Sequence, residues 1–522
     1  MQIGSQRPSG AASSPAAGHP LLYEINTRVW AREVAPARAG RAASLARVPD
    51  RVLDELADLG LELVWLMGVW QGGEAGQLLA RQHAELQAEY RRALPDLAPD
   101  DVLGSPYAVQ DYRVSRSLGG PAALAGLRRR LAKRGLGLIL DFVPNHTARD
   151  HDWVFSHPEY YVAGSQELLA REPHNYFAVA TPQGRKILAH GRDPYFPGWT
   201  DTAQLNYRHP GLRAALVKTL LGIAAQSDGV RCDMAMLVLN DVFERTWGEV
   251  APAPGGPAAA GEFWAEAIDA VRSRYPDFLF LAEAYWGLEG ELQALGFDYT
   301  YDKGLYDHLI HAGAGAVREH LRGDPEVLGR GTHFLENHDE PRAAHLFAPD
   351  KHRAAAVIAY ATPGMRFFHD GQLEGRKVKL PVQLGRRPAE KRDPELRRFY
   401  EKLLAALQDP VMRHGRWRLL ETRPAWEGSS TAEQFVIQRW EGGRLGSRLA
   451  VANFGDRQGQ CYVPLDLPGL RGRRVLLRDL LSDARYERDG DSLRSPGLYL
   501  DMAPYQFHWF EVIPQGVARP AG

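Results

Sequence analysis

From residue 21 onward, short apolar runs alternate with longer amphipathic segments punctuated by Gly and Pro. A short apolar or β-branched run bounded by turn residues predicts a buried strand, and an apolar stripe at a 3.6-residue period predicts a helix packed on it. Eight runs fit the first pattern: LLYEINTRVW (21–30), LELVWLMGV (61–69), LGLILDFV (136–143), GVRCDMA (229–235), FLFLAEA (278–284), GFDYTYD (296–302), THFLENHD (332–339) and MRFFHDG (365–371). Between them lie helical patterns such as VPDRVLDELADLG, with Asp50 a candidate cap, PAALAGLRRRLAKRG, HPGLRAALVKTLLGIAAQ and EFWAEAIDAVRSRYP, plus a helical insertion around LLARQHAELQAEYRRAL. Eight strand–helix units predict an α/β chain folded as a closed (β/α)8 TIM barrel over 21–146 and 206–409.

The stretch 147–205 breaks the rhythm and is rich in His, Pro, Tyr and Trp. Loops this long are usually functional, so an inserted loop domain after the third strand is expected to overhang the active face. Beyond about residue 410 the pattern becomes alternating runs, QFVIQRW, RLAVANF, QCYVPLDL, RRVLLRDLL and YQFHWFEVI, separated by Gly and Asp turns. These predict a C-terminal antiparallel β-sandwich over 410–522. APAPGGPAAAG (251–261) reads as a low-complexity loop. Residues 1–20, without a cationic start or an apolar stretch, read as a disordered tail and not a signal peptide.

Charge and cysteine usage narrow the partner. A formal net charge of -1 gives no global attraction to nucleic acid or acidic membranes, and no run of eighteen apolar residues suggests a membrane span. Cys232 and Cys461 have no spacing suited to zinc or to a disulfide framework. The expectation is a cytoplasmic protein with a neutral or small partner, neither nucleic acid nor membrane, and with its oligomeric state open.

In barrels of this kind chemistry collects at the carboxyl ends of the strands. Those ends carry Asp141, Asn145 and His146, then Arg231 and Asp233, then Glu283, then His338 and Asp339. Singly, each has a plain structural reading. Arg231 and Asp233 share one strand face and could form a bridge, and the histidines could be hydrogen-bonding core residues. Glu283 is harder to explain that way, because a lone acid between apolar residues is costly to bury unless something uses it. A metal-dependent hydrolase would need a His-rich ligand set, and only His146 and His338 are well placed.

DFVPNH (141–146), GVRCD (229–233), LAEA (281–284) and ENHD (336–339) resemble, in order, the four short signature regions of the alpha-amylase family of glycoside hydrolases and transglycosidases. Retaining cleavage of a glycosidic bond needs one carboxylate to attack the anomeric carbon and one carboxylic acid, about 5 to 5.5 Å away, to protonate the departing oxygen. The resemblance implies Asp233 as nucleophile, Glu283 as acid/base and Asp339 as the third carboxylate, gripping sugar hydroxyls. It implies that His146 and His338 bond the sugar on the non-reducing side of the cleaved bond and that Tyr107 stacks on it. Arg231 is expected to orient and ionise Asp233, and Asp141 to brace the Arg231 region. Trp286 sits where a second sugar could stack; Tyr195, Phe196 and Trp199 could wall the cleft or simply pack the loop.

The sequence also departs from the family pattern. Met234, Met236 and Leu237 stand where members acting on long glucans carry a Lys-His pair, which argues for an apolar, short acceptor side or a different ligand group. Phe367, Phe368 and His369 replace the usual aromatic run of the last strand. The basic stretch LEGRKVKLPVQLGRR (373–387) reads as a solvated loop or, through Arg376, Lys377 or Lys379, as a contact for an anionic sugar. No cofactor is required by this chemistry. Calcium is a candidate, with Asn145 matching a family ligand position and Asp150, Asp152 and Asp193 available nearby, although six or more oxygen ligands are needed. The resulting expectation is a retaining alpha-glucosidic enzyme acting on short alpha-glucans through a covalent glycosyl-aspartate, by hydrolysis or transglycosylation. The alternatives are a sugar-phosphate-using maltosyl or glucosyl transferase, a trehalose-metabolising member, and, from another class, a noncatalytic carbohydrate-binding scaffold barrel.

Overall fold

The computed structural model describes residues 18–36, 43–251, 261–467 and 469–517. Most of the expected N-terminal tail and of the low-complexity stretch 251–261 lies outside the described residues.

All eight predicted runs form strands, shorter than their apolar stretches: β1 (Leu21–Asn26), β2 (Leu63–Met67), β3 (Gly137–Phe142), β4 (Gly229–Cys232), β5 (Leu279–Ala282), β6 (Tyr299–Tyr301), β7 (Gly331–His333) and β8 (Met365–His369). They pair in parallel and close in the cyclic order β1-β8-β7-β6-β5-β4-β3-β2. Buried helices pack outside, among them Asp50–Asp58, Gly120–Ala132, Pro210–Ala224 and Phe263–Arg272. Asp50 is a correction to the sequence reading. It is the first helical residue behind Pro49 and makes no cap hydrogen bond; its carboxylate instead meets Arg130 of helix Gly120–Ala132 at 2.8 Å and Arg134, just past that helix, at 3.0 Å.

The stretch after β3 is built from short antiparallel pairs, His146–Ala148 with Thr202–Gln204 and Tyr176–Thr181 with Gly184–Ala189. The C-terminal strands form two sheets. One has six strands, from Arg416–Leu419 at one edge to Arg485–Asp489 at the other; the second has three, Arg423–Pro424, Gly459–Val463 and Leu498–Met502. Both contribute to one apolar core, with Ile437, Val451, Leu477 and Phe510 from the larger sheet and Cys461, Val463 and Leu500 from the smaller. That shared core makes the unit a sandwich.

The sandwich is seated on the barrel through helix Pro349–Ala361, which buries nine residues from His352 to Ala361. Trp440 donates its indole N–H to Ala361 O at 2.7 Å, and Gln438 donates to Ile358 O at 2.8 Å. Both bonds satisfy carbonyls near the C-terminal end of that helix, which lack partners within it.

Candidate active site

Side chains alternate between the two faces of a strand, so every second residue points into the barrel. The lower inward positions are apolar: Leu22, Leu63, Trp65, Ile139, Leu279, Leu281, Met365 and Phe367 form one buried cluster. One step further along the same parity the residues turn polar, giving Glu24 on β1, Asp141 on β3, Arg231 on β4, Glu283 just past β5 and His369 on β8. The parallel register sets Arg231 beside Asp141 and Glu24 beside His369. Apolar layers fill the barrel and a charged layer closes its carboxyl end.

Arg231 is the hub of that layer and is fully buried. One terminal nitrogen donates to Asp233 Oδ1 and the other to Glu283 Oε2, each at 2.7 Å. Its guanidinium carbon lies 5.0 Å from the Trp65 ring, 5.3 Å from Tyr107 and 5.7 Å from Tyr301, so aromatic faces supply much of its surroundings. Glu283 accepts two further bonds, from Met234 N at 2.7 Å and from the Tyr285 hydroxyl at 2.6 Å. Met234 reaches it through a left-handed backbone, φ +43°. Among the described residues no hydrogen bond holds Asp233 Oδ2, which leaves that oxygen for the cleft.

Burial pushes the Glu283 carboxyl up, and Asp233 and Asp339 add to the effect against the pull of Arg231. Burial also raises Asp233, again opposed by Arg231. The guanidinium is therefore not a device for ionising Asp233 alone, as the sequence suggested; it serves both acids, which titrate as a pair.

His338 and Asp339 form the opposite wall. His338 Nε2 is 2.8 Å from Asp339 Oδ2 and 2.6 Å from the Tyr107 hydroxyl, with the Tyr107 ring stacked on it at 5.3 Å. Its Nδ1 is 2.5 Å from Oε1 of the buried Glu24. Burial alone would depress the imidazole, but Asp339 and then Glu24 outweigh it and hold His338 well above its ordinary value. Burial would raise Asp339, but His338 pulls it down to about 2. His146 has no such partners, and burial drops it to about 4, so it faces the site neutral, its ring 5.2 Å from Trp199.

Asp141 accepts from the Trp65 indole and from Gly68 N, each at 2.9 Å, and burial pushes it up to about 6. It anchors the end of β2, and Arg231 reaches it only through space. Trp286 is 42% exposed at the rim, with φ +66° and its ring edge-on to Tyr195 at 5.1 Å. Tyr195 and Phe196 are exposed, whereas Trp199 is half-buried. Met236 and Leu237 are buried in the core and do not line an acceptor side; only Met234 is part-exposed.

Most of the oxygens expected to suit calcium are otherwise engaged, although Asp150 Oδ1 is buried without a hydrogen bond among the described residues. The side-chain amide nitrogen of the fully buried Gln204 donates toward Asn145 O (2.9 Å), Asn145 Oδ1 (3.0 Å) and Leu205 O (3.1 Å). Asp150 accepts from Ala75 N, Asp193 from Tyr195 N and Phe196 N, and Asp152 from Gln110. Among the described residues no group of three or more His, Cys, Asp or Glu side chains could hold a metal. An N–H donor at the convergence of three oxygens does not fit a cation whose ligands must all be acceptors.

The basic stretch is largely neutralised. Arg386 pairs with Asp96 and Asp101, Arg387 with Glu33 and Asp370, and Arg376 lies 4.0 Å from Glu390. Lys379 alone of these cations reaches the site, donating to the Asp339 carbonyl. Sequence reasoning passed over Glu24, Tyr285, Gln204 and His369 as site residues. Strand parity was the signal for Glu24 and His369, since both fall on the inward face one step above an apolar residue.

Fold and site together define a (β/α)8-barrel protein with a buried pair of acids at the carboxyl end of its strands. Residues 50–302 match the family model "Alpha amylase, catalytic domain". That region, which carries Asp233 and Glu283, belongs to the alpha-amylase family. The chain is 26% identical over 368 residues to the alpha-amylase MalA of Haloarcula japonica, covering 68% of this chain and 44% of that protein. It is 26% identical over 498 residues to an alpha-1,4-glucan:maltose-1-phosphate maltosyltransferase of Rhodospirillum rubrum, covering 91% of this chain and 63% of that one. The chain thus spans less than two thirds of either relative. In fold it is similar to the noncanonic maltogenic alpha-amylase AmyB of Thermotoga neapolitana, with a TM-score of 0.66 at 17% identity over 95% of this chain and 99% of the other. No described helix is long and apolar enough to cross a membrane.

Proposed function

We propose that this chain is a retaining alpha-glucosidic enzyme acting on short alpha-glucans by double displacement. One observation carries the reading: a single buried guanidinium holds both Asp233 and Glu283, which supports the short separation that a retaining pair needs. Asp233 Oδ2 attacks the anomeric carbon while Glu283 gives its proton to the departing oxygen, leaving a glycosyl ester on Asp233. Glu283, now a base, takes a proton from water or from a sugar hydroxyl, whose oxygen attacks the anomeric carbon and frees Asp233. Asp339, His338 and the neutral His146 bond the ring hydroxyls, and Tyr107 closes that side. A binding scaffold would have no use for a buried pair of acids on one cation.

Relatives named as an alpha-amylase, an oligo-1,6-glucosidase and a maltosyltransferase support an alpha-glucan as substrate, by hydrolysis or transfer. A sugar phosphate is the second reading. The length of the match to the maltosyltransferase favours it, as does Lys379 at the edge of the Asp339 wall; the paired arginines weigh against it. The closure of the Asn145 oxygens by Gln204 supports catalysis without calcium, and two buried free thiols suit a cytoplasmic location.

The test is product stereochemistry. Proton NMR during turnover of maltotriose, trehalose and maltose 1-phosphate, each with and without inorganic phosphate, should give first-formed product of α configuration from at least one. A β product, or no turnover of any, ends the proposal; turnover only with phosphate or maltose 1-phosphate selects the second reading.

A further inference from the structure

In the charged layer Asp141 has a structural task, anchoring the end of β2, whereas Glu24 has been given neither a structural nor a mechanistic one. It sits on β1, fully buried, with Oε1 2.5 Å from His338 Nδ1, while Nε2 of the same ring lies 2.8 Å from Asp339 Oδ2. A carboxylate at neutral pH only accepts hydrogen bonds, so an imidazole between two carboxylates must donate from both nitrogens. The Tyr107 hydroxyl, 2.6 Å from Nε2, could donate to a neutral ring, but that tautomer would set the Nε2 lone pair against Asp339 Oδ2 at 2.8 Å, so the two carboxylates together favour an imidazolium. Among the described residues Glu24 Oε2 makes no hydrogen bond, and it lies 3.9 Å from His369 Nε2; His369 in turn lies 2.9 Å from Arg342 and 3.3 Å from Glu336.

We infer that Glu24 is a positioning residue that fixes His338 as a doubly protonated cation, so that Asp339 is presented to the sugar as an anion and the wall keeps one charge state across the working pH range. This deepens the proposed function and rests on it. The alternative role, a structural acid filling the barrel top, would leave the charge of His338 to Asp339 alone. The groups around His338 are Glu24 and, behind it, His369 from β1 and β8; Asp141 from β3; Arg231 and Asp233 from β4; Tyr107; and Asp339. Of these, only Glu24 and Asp339 are carboxylates in hydrogen-bond contact with the ring.

The test uses the full chain labelled with 15N-histidine, with His338 assigned by its absence from a His338→Gln spectrum. In the wild type both ring nitrogens should stay in the protonated range to about two pH units above the ordinary histidine value of about 6.5. In Glu24→Gln the ring midpoint should fall by about one unit or more, a shift that a merely structural acid would not cause. Glu24→Asp, which keeps the charge, should restore most of the midpoint. A wild-type His338 that titrates near 6.5, or a Glu24→Gln midpoint unchanged from wild type, overturns the inference. Should Glu24→Gln fail to fold, the wild-type titration and Glu24→Asp still decide. The ring titration needs no turnover, so inactivity on every glucoside would sink the proposed function without touching this result.

Discussion

The Tyr285 hydroxyl lies 2.6 Å from Glu283 Oε1, two residues along the same turn. A donor aimed at a carboxylate favours its ionised form, so Tyr285 works against the burial that raises Glu283. Tyr285→Phe removes the donor. The folded-state value of Glu283 then rises further, and the alkaline limb of kcat/KM, where the acid loses its proton, moves up by about half a unit to one unit. A pH–rate profile checks this; a limb that moves down means that Glu283 is not the acid that sets it.

Glu283→Gln separates the two half-reactions. Without its proton, cleavage of maltooligosaccharides should fall by about 10³-fold or more, whereas an aryl alpha-glucoside whose leaving group needs no proton should still glycosylate the enzyme. Peptide mass spectrometry should find the trapped sugar on Asp233. A sugar on any other residue would move the nucleophile elsewhere.

Trp286 holds a conformation that bulky residues rarely adopt, at a cost of order 1 kcal/mol or more, and it is exposed at the rim. Strain retained at a solvent-facing aromatic fits a contact made with substrate and not with the core. Trp286→Gly should leave Tm unchanged or slightly raised, because glycine tolerates this backbone, while KM for maltotriose rises about tenfold from the lost stacking surface. A fall in Tm with unchanged KM would assign Trp286 to packing.

Chelation should change neither Tm nor turnover. Gln204→Ala, by contrast, strips the donor from three buried oxygens and should cost about 2–4 kcal/mol, read as a lower midpoint in urea. Loss of activity in EDTA that calcium restores would contradict the reading of this site.

The barrel was legible because each inward face carries its own local record: two-residue alternation ending in a polar residue. The acids themselves could be read from four short segments. What could not be read locally was pairing across the chain. Glu24 and His338 are 314 positions apart, and nothing in LLYEIN says which side chain the glutamate will meet. Arg231 was assigned to its sequence neighbour Asp233, and its equal bond to Glu283, 52 residues on, appears only when β4 and β5 lie side by side. In the C-terminal sandwich, Arg416–Leu419 and Arg485–Asp489 gave no strand signal because they are edge strands whose side chains are largely exposed and charged, a common guard against edge-to-edge pairing.

The seat of the sandwich on helix Pro349–Ala361 has an engineering consequence. Tyr360 from that helix donates to Phe367 O within the last stave, and Trp440 and Gln438 hold its far side. A chain cut near residue 410 would leave that helix with a bare apolar flank, and the stave carrying His369 would lose its backing. Transplanting the barrel into another scaffold would therefore require the sandwich to travel with it.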